Sequence, residues 1–121
     1  MVQPLATWSS EERVVDALVA GGLRRRAALH AAPLFVRAAA HLVASGVSAN
    51  LAAGAWWVPG RLEVLGKHTD YGGGRSLTAA VERGFAVVFV ACQERSLTVH
   101  ALDDEASRRV PLFGESERAP E

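Results

Sequence analysis

The sequence predicts an α+β domain, N-terminal helices followed by a mainly antiparallel sheet. Two patterns carry that expectation. Up to Gly46, apolar residues recur at helical spacing; from Ala55 onward, short β-branched and aromatic runs are divided by glycine, proline and charged turns. Helices first and strands afterwards argue against alternating β–α units and for a meander.

The first helix is expected over residues 9–20. Ser9 and Glu12 have capping-box spacing, and Val14, Val15, Leu18 and Val19 share a face. Gly21 and Gly22 end it, since glycine accepts the left-handed conformation of a helix C-terminus. Pro33 is expected to start a further helix, because proline suits a first turn better than an interior. Leu34, Phe35, Ala38, Leu42 and Val43 form its apolar face and Gly46 closes it. Arg24–Arg26 read as a solvated surface. Strands are expected at 55–58, at 62–65 after Pro59-Gly60, at Phe85–Cys92, at Ser96–Leu102 and from Ser107 to Phe113. The loop Gln93–Arg95 is short enough to join the third and fourth of these as a hairpin. The layout gives a helical segment 1–53, a sheet-forming segment 54–113 and a polar tail 114–121.

Composition narrows the function classes. The chain has 121 residues, 50% hydrophobic and 21% charged, enough for a real core. Thirteen basic residues balance thirteen acidic ones, so no global field favours nucleic acid or an anionic membrane. Glu11 and Glu12 precede any long apolar run, and the apolar stretches fall short of the roughly 20 residues of a membrane span. A single cysteine, Cys92, fits a reducing compartment. A soluble, cytoplasmic protein without nucleic-acid or membrane partners is expected.

The residues that carry chemistry crowd into Val58–Leu77, VPGRLEVLGKHTDYGGGRSL, which contains the only lysine, Lys67. A P-loop fails on spacing. Five residues separate Gly60 from Gly66, and His68 follows Lys67 where a hydroxyl should ligate magnesium. The triple glycine lacks the spacing of a dinucleotide fingerprint. His68 and Asp70 form an H-x-D pair of metal-ligand types, but a third ligand is missing and Lys67 would repel a cation. A structural turn, with Asp70 bonding local amides and Gly72–Gly74 supplying positive φ, explains the glycines but not the crowding of polar residues.

The stretch resembles the galactokinase signature of the GHMP small-molecule kinases: P-G-R, one residue, N, two apolar residues, then G-E-H-T-D-Y, a glycine-containing turn and a leucine. The match covers Pro59, Gly60, Arg61, Val64, Leu65, Gly66, His68, Thr69, Asp70, Tyr71, Gly74 and Leu77. It implies the GHMP kinase N-terminal domain, of the ribosomal protein S5 second-domain type, with 54–113 as its sugar-binding part. It also implies ATP-dependent phosphorylation of galactose or a related sugar at the anomeric hydroxyl, with Mg²⁺. His68 and Asp70 carry over as sugar ligands. Asp70 suits two neighbouring hydroxyls, and His68 donates or accepts according to tautomer. Lys67, Thr69 and Tyr71 flank them, with Lys67 and Thr69 placed in the substrate-binding set. Arg61 carries over as the catalytic cation near the transferring phosphoryl group, where a guanidinium stabilises spreading charge.

Two positions depart from the signature. Lys67 stands where the family has glutamate, and Glu63 where it has asparagine. Glu63 and Lys67 would lie about 13 Å apart on a straight strand, so pairing them needs a bend at Gly66. The lysine would suit a sugar acid, a phosphorylated sugar or a differently placed hydroxyl. The family's ATP-phosphate loop and catalytic aspartate have no counterpart in the chain. The reading is therefore a truncated or partial sugar kinase, inactive alone and completed by a missing C-terminal part. The alternative is a non-catalytic sugar-binding or regulatory protein on the same scaffold.

Overall fold

The computed structural model describes residues 2–66 and 70–112. They form two compact units that divide between Val90 and Ala91. The architecture is α+β, with two helices and antiparallel sheets.

In the first unit, strand β1 (Val2–Pro4) leads through a 3₁₀ segment, Leu5–Ser9, into helices α1 (Glu11–Ala20) and α2 (Arg25–Ala44). A long hairpin follows, β2 (Ala52–Leu65) and β3 (Leu77–Val90), with strand order β1-β2-β3. Both helices end alike. After α1 the Leu23 amide donates to the Leu18 carbonyl and the Gly22 amide to Val19; after α2 the Val47 amide donates to Leu42 and the Gly46 amide to Val43. Gly22 and Gly46 sit at φ 99° and 92°, the left-handed geometry of this paired closure. Leu23 and Val47, the next residues, pack onto the core.

That core is built from Leu5, Trp8, Val14, Val15, Leu18, Phe35 and a row of alanines on α2 and β2. Phe35 is 1% exposed and lies between two indoles, 6.2 Å from the Trp8 ring and 6.4 Å from the Trp57 ring. The Trp8 Nε1–H donates to the Ala53 carbonyl at 3.4 Å, so its polar edge is not left unpaired. One sheet face, carrying Ala53, Ala55, Trp57, Ala86, Val88 and Val90, turns toward the helices; the alternate residues Trp56, Val58, Phe85 and Val87 are exposed.

Several expectations are corrected. Ser10, not Ser9, is the N-cap of α1, and its side chain makes no capping bond; the Val14 amide donates to the Ser10 carbonyl. Pro33 does not begin a helix but sits inside α2. Its cost, of order ~3 kcal/mol, falls on the exposed side, while the buried face runs unbroken from Ala28 through Ala31, Ala32 and Phe35 to Ala39. Burying a phenylalanine alone returns about 1.5–3 kcal/mol. Leu34 is half-buried, and Val19 and Val43 are exposed, so alanine supplies much of the face assigned to larger residues. By length and mean hydropathy, 1.4, α2 would qualify as a membrane span, against the sequence reading; its apolar face is used inside the fold.

Pro59-Gly60 does not separate two strands, since β2 runs through it. β1 covers β2 only at Ala52–Gly54, so at Pro59 one side of β2 is an open edge and the missing N–H costs no ladder bond there. Nor do Gln93–Arg95 close a hairpin between the flanking strands. β3 pairs with β2, and in the second unit β4 (Ser96–Ala101) pairs with β5 (Ala106–Pro111). That two-stranded ribbon is held at its open end by the Leu112 amide on the Arg95 carbonyl and by an Arg109–Glu94 ion pair shared with the Ser96 hydroxyl. The ion pair is exposed and contributes little.

Phe35→Ala should lower the unfolding free energy by about 3–5 kcal/mol, because the Trp8 indole on the 3₁₀ segment and the Trp57 indole on β2 cannot close the gap without moving their backbones. Urea denaturation followed by far-UV circular dichroism measures it.

Candidate functional site

The singled-out stretch occupies the outer half of the β2–β3 hairpin and the loop joining its strands. Arg61, Leu62, Glu63, Val64 and Leu65 are all exposed, as are the facing residues from Leu77 to Arg83. The helices cover only the inner half, so this end of the hairpin projects with both faces open.

Two irregularities shape it. Pro59 pairs with Gly84 but Arg61 pairs with Ala80, so Gly60 faces three residues of β3, Val81 to Arg83. This is a bulge in β3. A Cβ at Gly60 would come within 3.1 Å of the Arg83 carbonyl and of a Val81 methyl, so glycine lets the bulged strand approach. The second irregularity lies at Val64, between the Glu63–Thr78 and Leu65–Leu77 pairs. The chain then turns at Gly66, φ 88°. A single 3₁₀ turn, Asp70–Gly72, leads into Gly73 at φ 73°. Of the three consecutive glycines expected to supply positive φ, Gly73 does so and Gly72 and Gly74 do not.

Arg61 therefore stands on the projecting strand and Asp70 opens the turn beyond it. Lys67, His68 and Thr69 lie outside the described residues, as does any Glu63–Lys67 pair; the bend at Gly66 that such a pair requires is present. Among the described residues Arg61 makes no ion pair with Glu63. No cluster of three metal-ligand side chains occurs among the described residues.

The triple glycine runs into strand β3, not into a helix, so it is no phosphate cradle. The double glycine ahead of α2 does not serve as one either, because its amides already donate to Ala17 and Val19 carbonyls.

Residues 46–91 match the family model of the galactokinase galactose-binding signature. No curated protein and no solved structure matches the chain. The matched segment opens at Gly46, which closes α2, and ends at Ala91, just after β3. It is one structural piece: the β2–loop–β3 hairpin with its lead-in.

Sequence reasoning did not mark the bulge at Val81–Arg83. Its trace was visible as a charged pair, Glu82-Arg83, breaking an otherwise apolar run ahead of Gly84. Gly84 is also constrained. A Cβ there would lie 2.3 Å from the Val58 carbonyl and 2.8 Å from the Pro59 Cα.

Gly84→Ala should destabilise the domain by more than about 2 kcal/mol, since backbone must move. Gly72→Ala, with nothing near its Cβ and an ordinary φ, should change stability by less than about 0.5 kcal/mol. Thermal melts of the two variants compare them directly.

Proposed function

We propose that the loop between β2 and β3 binds a galactose-like sugar, with Asp70 and His68 as its hydroxyl ligands. The observation that supports this reading is the match of residues 46–91 to the galactose-binding signature, a segment whose outer strands, 61–65 and 77–83, are exposed. A sugar presents several hydroxyls that both donate and accept, and each one left unmatched costs about 1–3 kcal/mol. A carboxylate and an imidazole two residues apart meet that need, and Thr69 adds a hydroxyl.

Arg61, on the strand that leads into the loop, is the cation we assign to the phosphoryl-transfer side. Lys67, in place of the family's glutamate, turns an acceptor into a donor and favours a sugar bearing a carboxylate or phosphate, or one with a hydroxyl placed differently from galactose. The reaction served is ATP-dependent sugar phosphorylation with Mg²⁺, in a reducing, cytoplasmic setting. This chain contributes the sugar side of that reaction and does not turn over ATP alone.

Calorimetry with galactose, galacturonate and galactose 1-phosphate tests the reading. Millimolar or tighter binding of at least one, lost by tenfold or more (over about 1.4 kcal/mol) in Asp70→Ala, is expected. Absence of binding by all three would sink it. ATP consumption by the 121-residue chain in the presence of any of these sugars would overturn the claim that it acts only as the sugar side.

A further inference from the structure

We propose that the cavity between α2 and the root of the β2–β3 hairpin binds a small organic anion, an oxyanion head on a planar apolar body. The cavity measures about 470 Å³, within the range of small-molecule sites. It lies within the first unit and is distinct from the sugar loop at the hairpin's far end.

Helix α2 supplies Arg26, His30 and Leu34 to its wall, each four residues from the next and so on one helical face. Strand β2 supplies Trp57, and β3 supplies Glu82 and Arg83. In a regular strand successive side chains point to opposite faces, so Glu82 and Arg83 should not both border one cavity. They do so because they belong to the bulge opposite Gly60, which re-aims this part of β3. The same bulge is held in place by Gly84, where no side chain fits.

The chemistry of the wall selects the ligand. Two guanidinium groups and an imidazole meet a single carboxylate, and among the described residues none of the four has a hydrogen bond or ion pair to satisfy it. The balance is cationic, and guanidinium groups pair two-pronged with carboxylate or phosphate oxygens. Trp57 and Leu34, with alanines of α2, give an apolar wall. Trp57 is braced by Phe35 at 6.4 Å, so its indole offers a fixed face on which a flat ring can stack. A bare anion would leave that wall unused, and an uncharged ring would leave the guanidinium groups unused.

The test uses benzoate and phenyl phosphate as probes, with phenol and inorganic phosphate as the body-only and head-only controls. Binding is followed by the indole N–H resonance of Trp57 in ¹H–¹⁵N spectra of the 121-residue chain. Saturable shifts at millimolar benzoate or phenyl phosphate are expected, with each control at least about fivefold weaker. Whichever probe binds more tightly identifies the head as carboxylate or phosphate. Arg26→Gln and Arg83→Gln, both exposed and outside the core, should each weaken binding about fivefold without lowering thermal stability. Absence of saturation at tens of millimolar for both probes overturns the proposal. So does binding that is unchanged in the double Arg variant, which would place the probes on the exposed Trp56 face instead.

Discussion

The packing of Phe35 between Trp8 and Trp57 is the constraint on which the first unit depends. Three rings from three segments meet there: the 3₁₀ segment near the N-terminus, the middle of α2, and β2. Around them the core is mostly alanine, with Ala28, Ala31, Ala32 and Ala39 on α2 and Ala53 and Ala55 on β2. Small side chains let helix and sheet approach closely, but each buries little area. The aromatic cluster therefore supplies much of the apolar burial and fixes where α2 crosses the hairpin.

That single anchor divides the hairpin in two. Its inner half, from Ala53 to Trp57 and from Ala86 to Val90, is pinned by the core. On the side away from the helices, the Phe89 ring lies over Gly54 and against Trp56, with centroids 4.8 Å apart, filling space that a Cβ would occupy. The outer half has no such support and projects with both faces open, carrying Arg61 and leading toward Gly66. The bulge at Val81–Arg83 marks the change between the halves. A recognition loop on a rigid root is a common arrangement, since the root sets position and the loop supplies chemistry.

The sequence revealed the helices through spacing and their ends through glycine chemistry, both of which are local. Gly22 and Gly46 closed helices as their positions implied. It misled wherever local preference met tertiary packing. Pro33 reads as a helix start, yet a continuous buried face carries α2 past it. Pro59-Gly60 reads as a break, yet on an open edge proline costs no ladder bond and Gly60 becomes the partner of a bulge. Gln93–Arg95 reads as a hairpin turn because it is short, but loop length does not say which strands pair. Strand β1 and the buried Leu5 and Trp8 left no periodic trace, because three extended residues and one 3₁₀ segment are too short to show one.

The candidate site divides the same way. Residue order alone put Arg61, His68, Thr69 and Asp70 into a segment that matches a galactose-binding signature, because a long ordered motif is a property of the chain and needs no folding to be read. Packing decided that Arg61 stands on the uncovered end of a hairpin, that the chain bends at Gly66, and that a basic, tryptophan-walled cavity lies at the hairpin's root. These depend on contacts between residues some 25 to 60 positions apart, from Arg26 and His30 to Trp57 and Arg83, whose separation in sequence carries no sign of their meeting in space.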